Sequence, residues 1–200
     1  MITKENLSKL LEQTQEIAKE VGAFIRKERQ HFDVEKVEHK GFNDLVSYVD
    51  KEAERQIVEK LSAIFPESGF ITEEGTSTTK GEKYNWVIDP LDGTTNFIHG
   101  IPVFSVSIAL MEEEKVIMGV VYEVNRHECF YAMKDGGAFC NDTPIKVSKA
   151  PDLSASLIST GFPYYNFELI DRYLNSMKSL MQKTHGLRRF GSAAVDLCYV

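Results

Sequence analysis

Trp86-Val87-Ile88-Asp89-Pro90-Leu91-Asp92-Gly93-Thr94-Thr95-Asn96-Phe97 is the stretch from which the rest of the chain is read. Its first three residues are apolar and strand-forming, and they deliver Asp89 at the strand's carboxyl end. Pro90 fixes its own φ and keeps the preceding residue extended, so the Asp89 carboxylate projects from the strand end. A turn then brings Asp92 back beside Asp89 and exposes the Leu91 carbonyl as a third oxygen. Gly93 has no side chain, so an anion can approach its backbone. Thr94 and Thr95 open a helix, whose unpaired N–H groups and dipole favour a negative group. Asp-Pro and Asp-Gly are each ordinary turn dipeptides. The chemical content lies in the whole string.

A second short apolar run, Phe70-Ile71-Thr72, also ends in acids, Glu73-Glu74. Carboxylates and a carbonyl are hard oxygen donors and suit Mg²⁺ better than a thiolate-seeking metal. Carboxylates this concentrated repel one another, and a central cation makes the arrangement tolerable.

Outward from this segment the periodicity changes. Leu7, Leu10, Leu11, Thr14, Ile17, Ala18, Val21, Phe24 and Ile25 fall three or four apart, which predicts a long amphipathic helix with Thr3 as N-cap. After a polar break from Glu35 to Asp44, a second helix runs through Val49, Ala53, Ile57, Leu61, Ile64 and Phe65 until Pro66 stops it. Asp50 then lies in its first turn, where an acid complements the helix dipole. Beyond the central string, Val103–Met111, Lys115–Glu123 and His127–Met133 read as an antiparallel meander. Turns are expected at Gly136-Gly137 and Asn141-Asp142. Strand Ser156–Ser159, helix Phe167–Gln182, strand Leu187–Phe190 and an apolar helical run Ala193–Val200 follow.

These elements predict an α+β fold in two parts. Residues 1–148 form N-terminal helices plus an antiparallel sheet carrying the acids. Residues 149–200 begin a C-terminal α/β subdomain that is expected to be incomplete, with the chain stopping inside its last helix.

Composition excludes several classes. The 200 residues include 30 acidic and 23 basic side chains, a net charge of −7. This is a poor balance for a non-specific nucleic-acid binder or a ligand of anionic membranes. Cys129, Cys140 and Cys198 show no CxxC spacing and read as free thiols of a reducing cytoplasmic setting. The five histidines lack zinc-site spacing. No Gly-x-Ser-x-Gly elbow or Gly-Lys-Ser/Thr phosphate loop is present.

The central string resembles that of the inositol monophosphatase family, in the superfamily that includes fructose-1,6-bisphosphatase. Asp44-Leu45-Val46-Ser47-Tyr48-Val49-Asp50 resembles the family's Asp-Leu-Val-Thr-x-x-Asp, with Ser47 in place of Thr. Phe70–Gly75 resembles its Gly-Glu-Glu segment, with Thr72 in place of Gly. Gly136–Asn141 and Gly191-Ser192-Ala193-Ala194 resemble two later glycine-containing motifs. A further family motif, Trp-Asp with small residues, is expected downstream of Val200.

The resemblance implies a layered αβαβα sandwich, the carbohydrate phosphatase fold. It implies two or three Mg²⁺ ions held by Glu73, Asp89, the Leu91 carbonyl and Asp92. It assigns catalysis to Glu73, Thr94 and Asp50, with Thr94 oriented by Asp50. Substrate contacts fall to Glu73, Leu91, Asp92, Gly93, Thr94, Gly191, Ser192 and Ala193. The implied substrate is a small phosphorylated polyol such as an inositol monophosphate, hydrolysed by a homodimer without nucleic-acid or membrane partners. The same core also fits fructose 1,6-bisphosphate, histidinol phosphate, NADP(H) or a nucleotide 3′-phosphate. A non-catalytic, partner-binding use of the fold is the remaining reading.

Overall fold

The computed structural model describes residues 2–32, 38–41, 44–77, 79–163 and 166–200, with backbone only for 38–41 and 44–46. The upstream Asp44-Leu45-Val46 motif therefore lies outside the described side chains.

Helix α1 (Lys4–Gln30) starts where expected: the Thr3 side chain accepts from the Asn6 N–H. Its apolar stripe from Leu7 to Ile25 is buried. A two-stranded antiparallel ribbon has β1 (Glu38–Gly41) inside the predicted polar break and β2 (Asp44–Val46) running out from its end. Helix α2 (Tyr48–Ile64) follows, with Ser47 as N-cap and Phe65-Pro66 at its end.

The main sheet has seven strands among the described residues, in spatial order β3-β4-β5-β6-β7-β8-β9. These are β3 (Gly69–Thr72), β4 (Tyr84–Asp92), β5 (Ser105–Glu112), β6 (Lys115–Glu123), β7 (Glu128–Met133), β8 (Gly137–Cys140) and β9 (Thr143–Pro144). From β4 onward the pairing is antiparallel, as the meander predicts. Helix α3 (Thr94–His99) leaves the end of β4. Turn residues with positive φ, Asp135, Asn141 and Asp142, mark the tight connections around β8. α1 and α2 pack on one another; α1 lies over β5–β7 and α2 over β4. Ile25, Val49, Ile57, Leu61, Trp86, Ile108 and Leu110 fill the layer between helices and sheet.

Two expectations need correction. The sheet is mixed, because β3 pairs with β4 in parallel, Gly69 opposite Asn85 and Thr72 opposite Ile88. The 11 residues between those strands (73–83) supply the return path that a parallel pair requires. The turn expected at Pro90–Asp92 is instead a bulge inside β4. Asp89 pairs with Ser107 and Asp92 with Ser105, so three steps on β4 oppose two on β5. Pro90 has no N–H to give the ladder, which is why the irregularity falls there.

The remainder is smaller. β10 (Ile158–Ser159) and β11 (Leu187–Arg188) form a parallel pair, with α4 (Ile170–Met181) between them in sequence. α5 (Ala193–Cys198) closes with the Tyr199 N–H on the Val195 carbonyl, shorter than the predicted run to Val200. No described helix is long and apolar enough to cross a membrane.

Gly69 shows how tightly the edge of the sheet is built. A Cβ there would lie 1.8 Å from the Gly81 nitrogen and 2.5 Å from the Lys80 carbonyl carbon. Both are backbone atoms and cannot swing aside. Gly69→Ala is expected to destabilise the fold by about 1–3 kcal/mol, the range for overpacking, as measured by denaturant unfolding.

Candidate active site

Sheet geometry brings the acids together. Parallel strands with Thr72 opposite Ile88 place the next residues, Glu73 and Asp89, beside each other. In a regular strand Asp89 and Asp92, three apart, would face opposite sides. The extra residue of the bulge restores the phase: Pro90 and Leu91 are both buried, and Asp89 and Asp92 are both half-buried on the other face. Glu73 is exposed at the rim.

The consequence is electrostatic. Burial, followed by the negative charges of Glu73 and Asp92, pushes the Asp89 carboxyl up to about 9, and a hydrogen bond with Glu73 adds to the shift. The Leu91 N–H donates to Asp89 Oδ1 at 3.1 Å and opposes it weakly. Donors here are carboxylates and carbonyls, hard oxygens that match Mg²⁺. A divalent cation would relieve the repulsion that Asp89 records. The residues therefore fit the ion. Among the described residues no three His, Cys, Asp or Glu side chains converge as a ready-made cage. Asp89 shares a hydrogen bond with Glu73, while Asp92 is turned toward other donors.

Those donors belong to the second half of the chain. Asp92 Oδ2 accepts from Ser192 Oγ at 2.6 Å and from the Ala194 N–H at 2.7 Å; Oδ1 accepts from the Ala193 N–H at 3.2 Å. Asp92 thus caps α5 from outside its own segment. Ser192 is fully buried, and its Oγ also meets Ser105 Oγ at 3.1 Å. Asn96 Nδ2 donates to the Val103 and Phe190 carbonyls, at 2.8 and 2.6 Å. Gly93 (φ +102°) lies close to Gly191: a Cβ on Gly93 would meet the Gly191 carbonyl oxygen at 3.2 Å and the Val103 carbonyl oxygen at 3.0 Å. Hence Gly191, Ser192 and Ala193, 100 residues away in sequence, do border Asp92 and Gly93.

On the other flank stands α2. Its first turn is a capping box: Ser47 Oγ accepts from the Val49 N–H at 3.1 Å, and Asp50 Oδ2 accepts from Ser47 N–H at 2.9 Å and Ser47 Oγ at 2.6 Å. Asp50 is only 2% exposed. Its other oxygen, Oδ1, accepts from Thr94 Oγ1 at 2.8 Å. The Leu91 carbonyl lies 3.0 Å from the same hydroxyl, so one proton has two acceptors. Burial raises the Asp50 carboxyl above its ordinary value, and the hydrogen bonds from Ser47 and Thr94 offset part of that rise.

The predicted site residues Asp50, Glu73, Asp89, Leu91, Asp92, Gly93, Thr94, Gly191, Ser192 and Ala193 are thus joined by one continuous series of contacts, with Asp50, Leu91 and Ser192 buried beneath the more open acids. The cysteines stay outside it. Burial pushes the Cys129 and Cys198 thiols up to about 11, so neither is a ready nucleophile. Two contributors were not foreseen. Asn96 stood in the quoted string without a role. Ser105 carries no sequence signal. Glu54, which the sequence reading passed over, falls in the buried stripe of α2 with Asp50, Ala53, Ile57 and Leu61.

A model of the inositol monophosphatase family matches residues 6–200. The chain belongs to that family. A relative from Pasteurella multocida, named Nus factor SuhB, is 41% identical over 184 residues, spanning 92% of this chain and 69% of the relative. A relative from Aquifex aeolicus, named fructose-1,6-bisphosphatase/inositol-1-monophosphatase, is 38% identical over 196 residues, 98% of this chain and 74% of the relative. The crystal structure of extragenic suppressor protein suhB from Bartonella henselae superposes with a TM-score of 0.89 at 37% identity, covering 96% of this chain and 74% of that one. The mixed, layered α/β architecture is thus a family property.

The raised Asp89 carboxyl has a consequence for stability. An unfolded aspartate ionises near pH 3.9, whereas native Asp89 keeps its proton to about pH 9. Between those values the native state binds the extra proton, so stability falls as pH rises. In chelator, the stability advantage of Asp89→Asn over the parent is expected to be small near pH 4 and to grow steadily to pH 8, in urea unfolding at both values.

Proposed function

We propose that this family member is a Mg²⁺-dependent phosphomonoesterase acting on an inositol monophosphate or a related small polyol phosphate. The observation that carries the reading is the single surface holding Glu73, Asp89 and Asp92 beside the Asp50–Thr94 pair. Glu73, Asp89, the Leu91 carbonyl and Asp92 would hold the ions. Bound there, Mg²⁺ supplies a water of lowered pKa and neutralises charge that develops on phosphate and leaving oxygens.

The chain's own groups do the rest. Asp50 Oδ1 and the Leu91 carbonyl take the Thr94 proton, which leaves the Thr94 oxygen lone pairs free to accept from an attacking water. Gly93 leaves the backbone open to a phosphate. Gly191, Ser192 and Ala193, held against Asp92 and Asn96, border the side where the alcohol portion lies. A site of this kind needs no cysteine or histidine. The homodimer implied by the resemblance belongs to the same reading, and light scattering of the purified chain checks it.

A second reading rests on the name of the Pasteurella relative, a Nus factor. In it the same fold docks a partner, and the net charge of −7 favours protein over nucleic acid as that partner.

The deciding test is phosphate release from inositol 1-phosphate, fructose 1,6-bisphosphate, histidinol phosphate, adenosine 3′,5′-bisphosphate and NADP, each with Mg²⁺ and with chelator. Chelator-sensitive release from inositol 1-phosphate supports the leading substrate class, and release from another member keeps the chemistry and changes the substrate. No release from any of them, by folded protein, favours the docking role. Asp89→Asn is expected to abolish Mg²⁺-dependent turnover, and Thr94→Val or Asp50→Asn to lower kcat by about 10²-fold or more.

A further inference from the structure

Three acids among the described residues are buried below one-tenth exposure: Asp50, Glu54 and Glu123. Asp50 belongs to the site already described. Glu123 caps the adjoining β6–β7 turn through the Arg126 N–H. Glu54 is different. It is fully buried in the middle of α2, and its partners are 20 and 22 residues away in sequence. Its Oε2 accepts from the Glu74 N–H at 2.7 Å. Its Oε1 accepts from the Thr76 N–H and the Thr76 hydroxyl, both at 2.8 Å. All three donors lie in the four residues that begin with Glu73.

That segment is the start of the 11-residue return from β3 to β4. Gly75 within it has φ +71°, and the chain there is exposed except at Glu74. Loop backbone with so little packing is free to wander unless hydrogen bonds direct it. The parallel register carries Glu73 to Asp89 but ends at Thr72. Beyond it Glu54 holds the Glu74 and Thr76 N–H groups, and the Thr72 hydroxyl donates to the Ser77 carbonyl at 3.2 Å.

We propose that Glu54 is a positioning residue for the hydrolytic site: its carboxylate clamps the Glu74–Thr76 backbone and so holds Glu73 against Asp89. Asp50 and Glu54 are one helical turn apart, on the same face of α2. One helix therefore braces both flanks of the site, Thr94 through Asp50 and Glu73 through Glu54. The inference rests on the Mg²⁺ reading above. Groups that orient ligand residues from behind are worth about 10–100-fold in metal affinity or activity.

The experiment compares the full chain with Glu54→Gln, Thr76→Val and Glu123→Gln. It reads amide hydrogen exchange at Glu74 and Thr76, the Mg²⁺-induced rise in Tm, and the Mg²⁺ concentration for half-maximal phosphate release. Glu54→Gln keeps the shape but sets an NH₂ group against at least one donor. It is expected to speed exchange at both amides, shrink the Mg²⁺-induced Tm rise, and raise half-saturating Mg²⁺ by at least 10-fold. Thr76→Val, at an exposed position, removes only the hydroxyl donor and is expected to move the same readouts in the same direction by about 2–3-fold. It carries the test if Glu54→Gln does not fold. Glu123→Gln is expected to lower Tm without moving the Mg²⁺ readouts.

If the Glu54 and Thr76 variants lose stability while their Mg²⁺ readouts match the parent's, Glu54 has a structural role only and the proposal is overturned. If the parent itself shows neither a Mg²⁺-induced Tm rise nor phosphate release, the hydrolytic reading falls first and this one with it.

Discussion

Parallel strands in the register Thr72 opposite Ile88 leave Glu73 and Asp89 as the next pair outward, and the rest of the site is arranged around that meeting. Two carboxyls brought this close in a half-buried place cannot both ionise cheaply, and Asp89 bears the strain. Had β3 run antiparallel to β4, the acids would sit at opposite ends of the sheet. The bulge at Pro90 then sets Asp92 on the same face as Asp89. A local irregularity forced by one proline thus completes an arrangement begun by a long-range pairing.

Asp92 has a second role in the architecture. By accepting from Ser192, Ala193 and Ala194 it joins the large sheet to the small α/β part, and Asn96 repeats the link at Phe190. In the proposed reading, an ion held by Asp92 would compete with the start of α5 for the same oxygens, so its occupancy and the seating of Gly191–Ala193 would be coupled through a single carboxylate.

Helix α2 carries the complementary constraint. Its capping box begins the helix and points Asp50 at Thr94, so the same hydrogen bonds that stabilise a helix end also orient a hydroxyl. Concentrated negative charge, buried acids and shared protons oppose stability, and the apolar layer between α1, α2 and the sheet offsets them. Family membership agrees with this division of labour: a common layered scaffold carries relatives described as phosphatases and as a Nus factor.

By residue type and order alone, the sequence determined the helices α1 and α2 and the meander, and it set apart Glu73, Asp89 and Asp92 as a concentration of acids; Asp50 and Thr94 drew a chemical role only from the family resemblance. The helix and strand readings hold because those periods are local, and the acids stand out because a string such as Asp89–Thr94 concentrates rare choices in a few positions. The direction of β3, the bulge at Pro90 and the roles of Ser105 and Asn96 were not legible, since each depends on a partner far away in sequence. Glu54 lies between the two. Its place in the apolar stripe is a signal the sequence reading passed over, and only the folded chain brings Glu74 and Thr76 to its oxygens. Types of donor and acceptor are written residue by residue, whereas which of them meet is decided by strand pairing and burial, which no local pattern encodes.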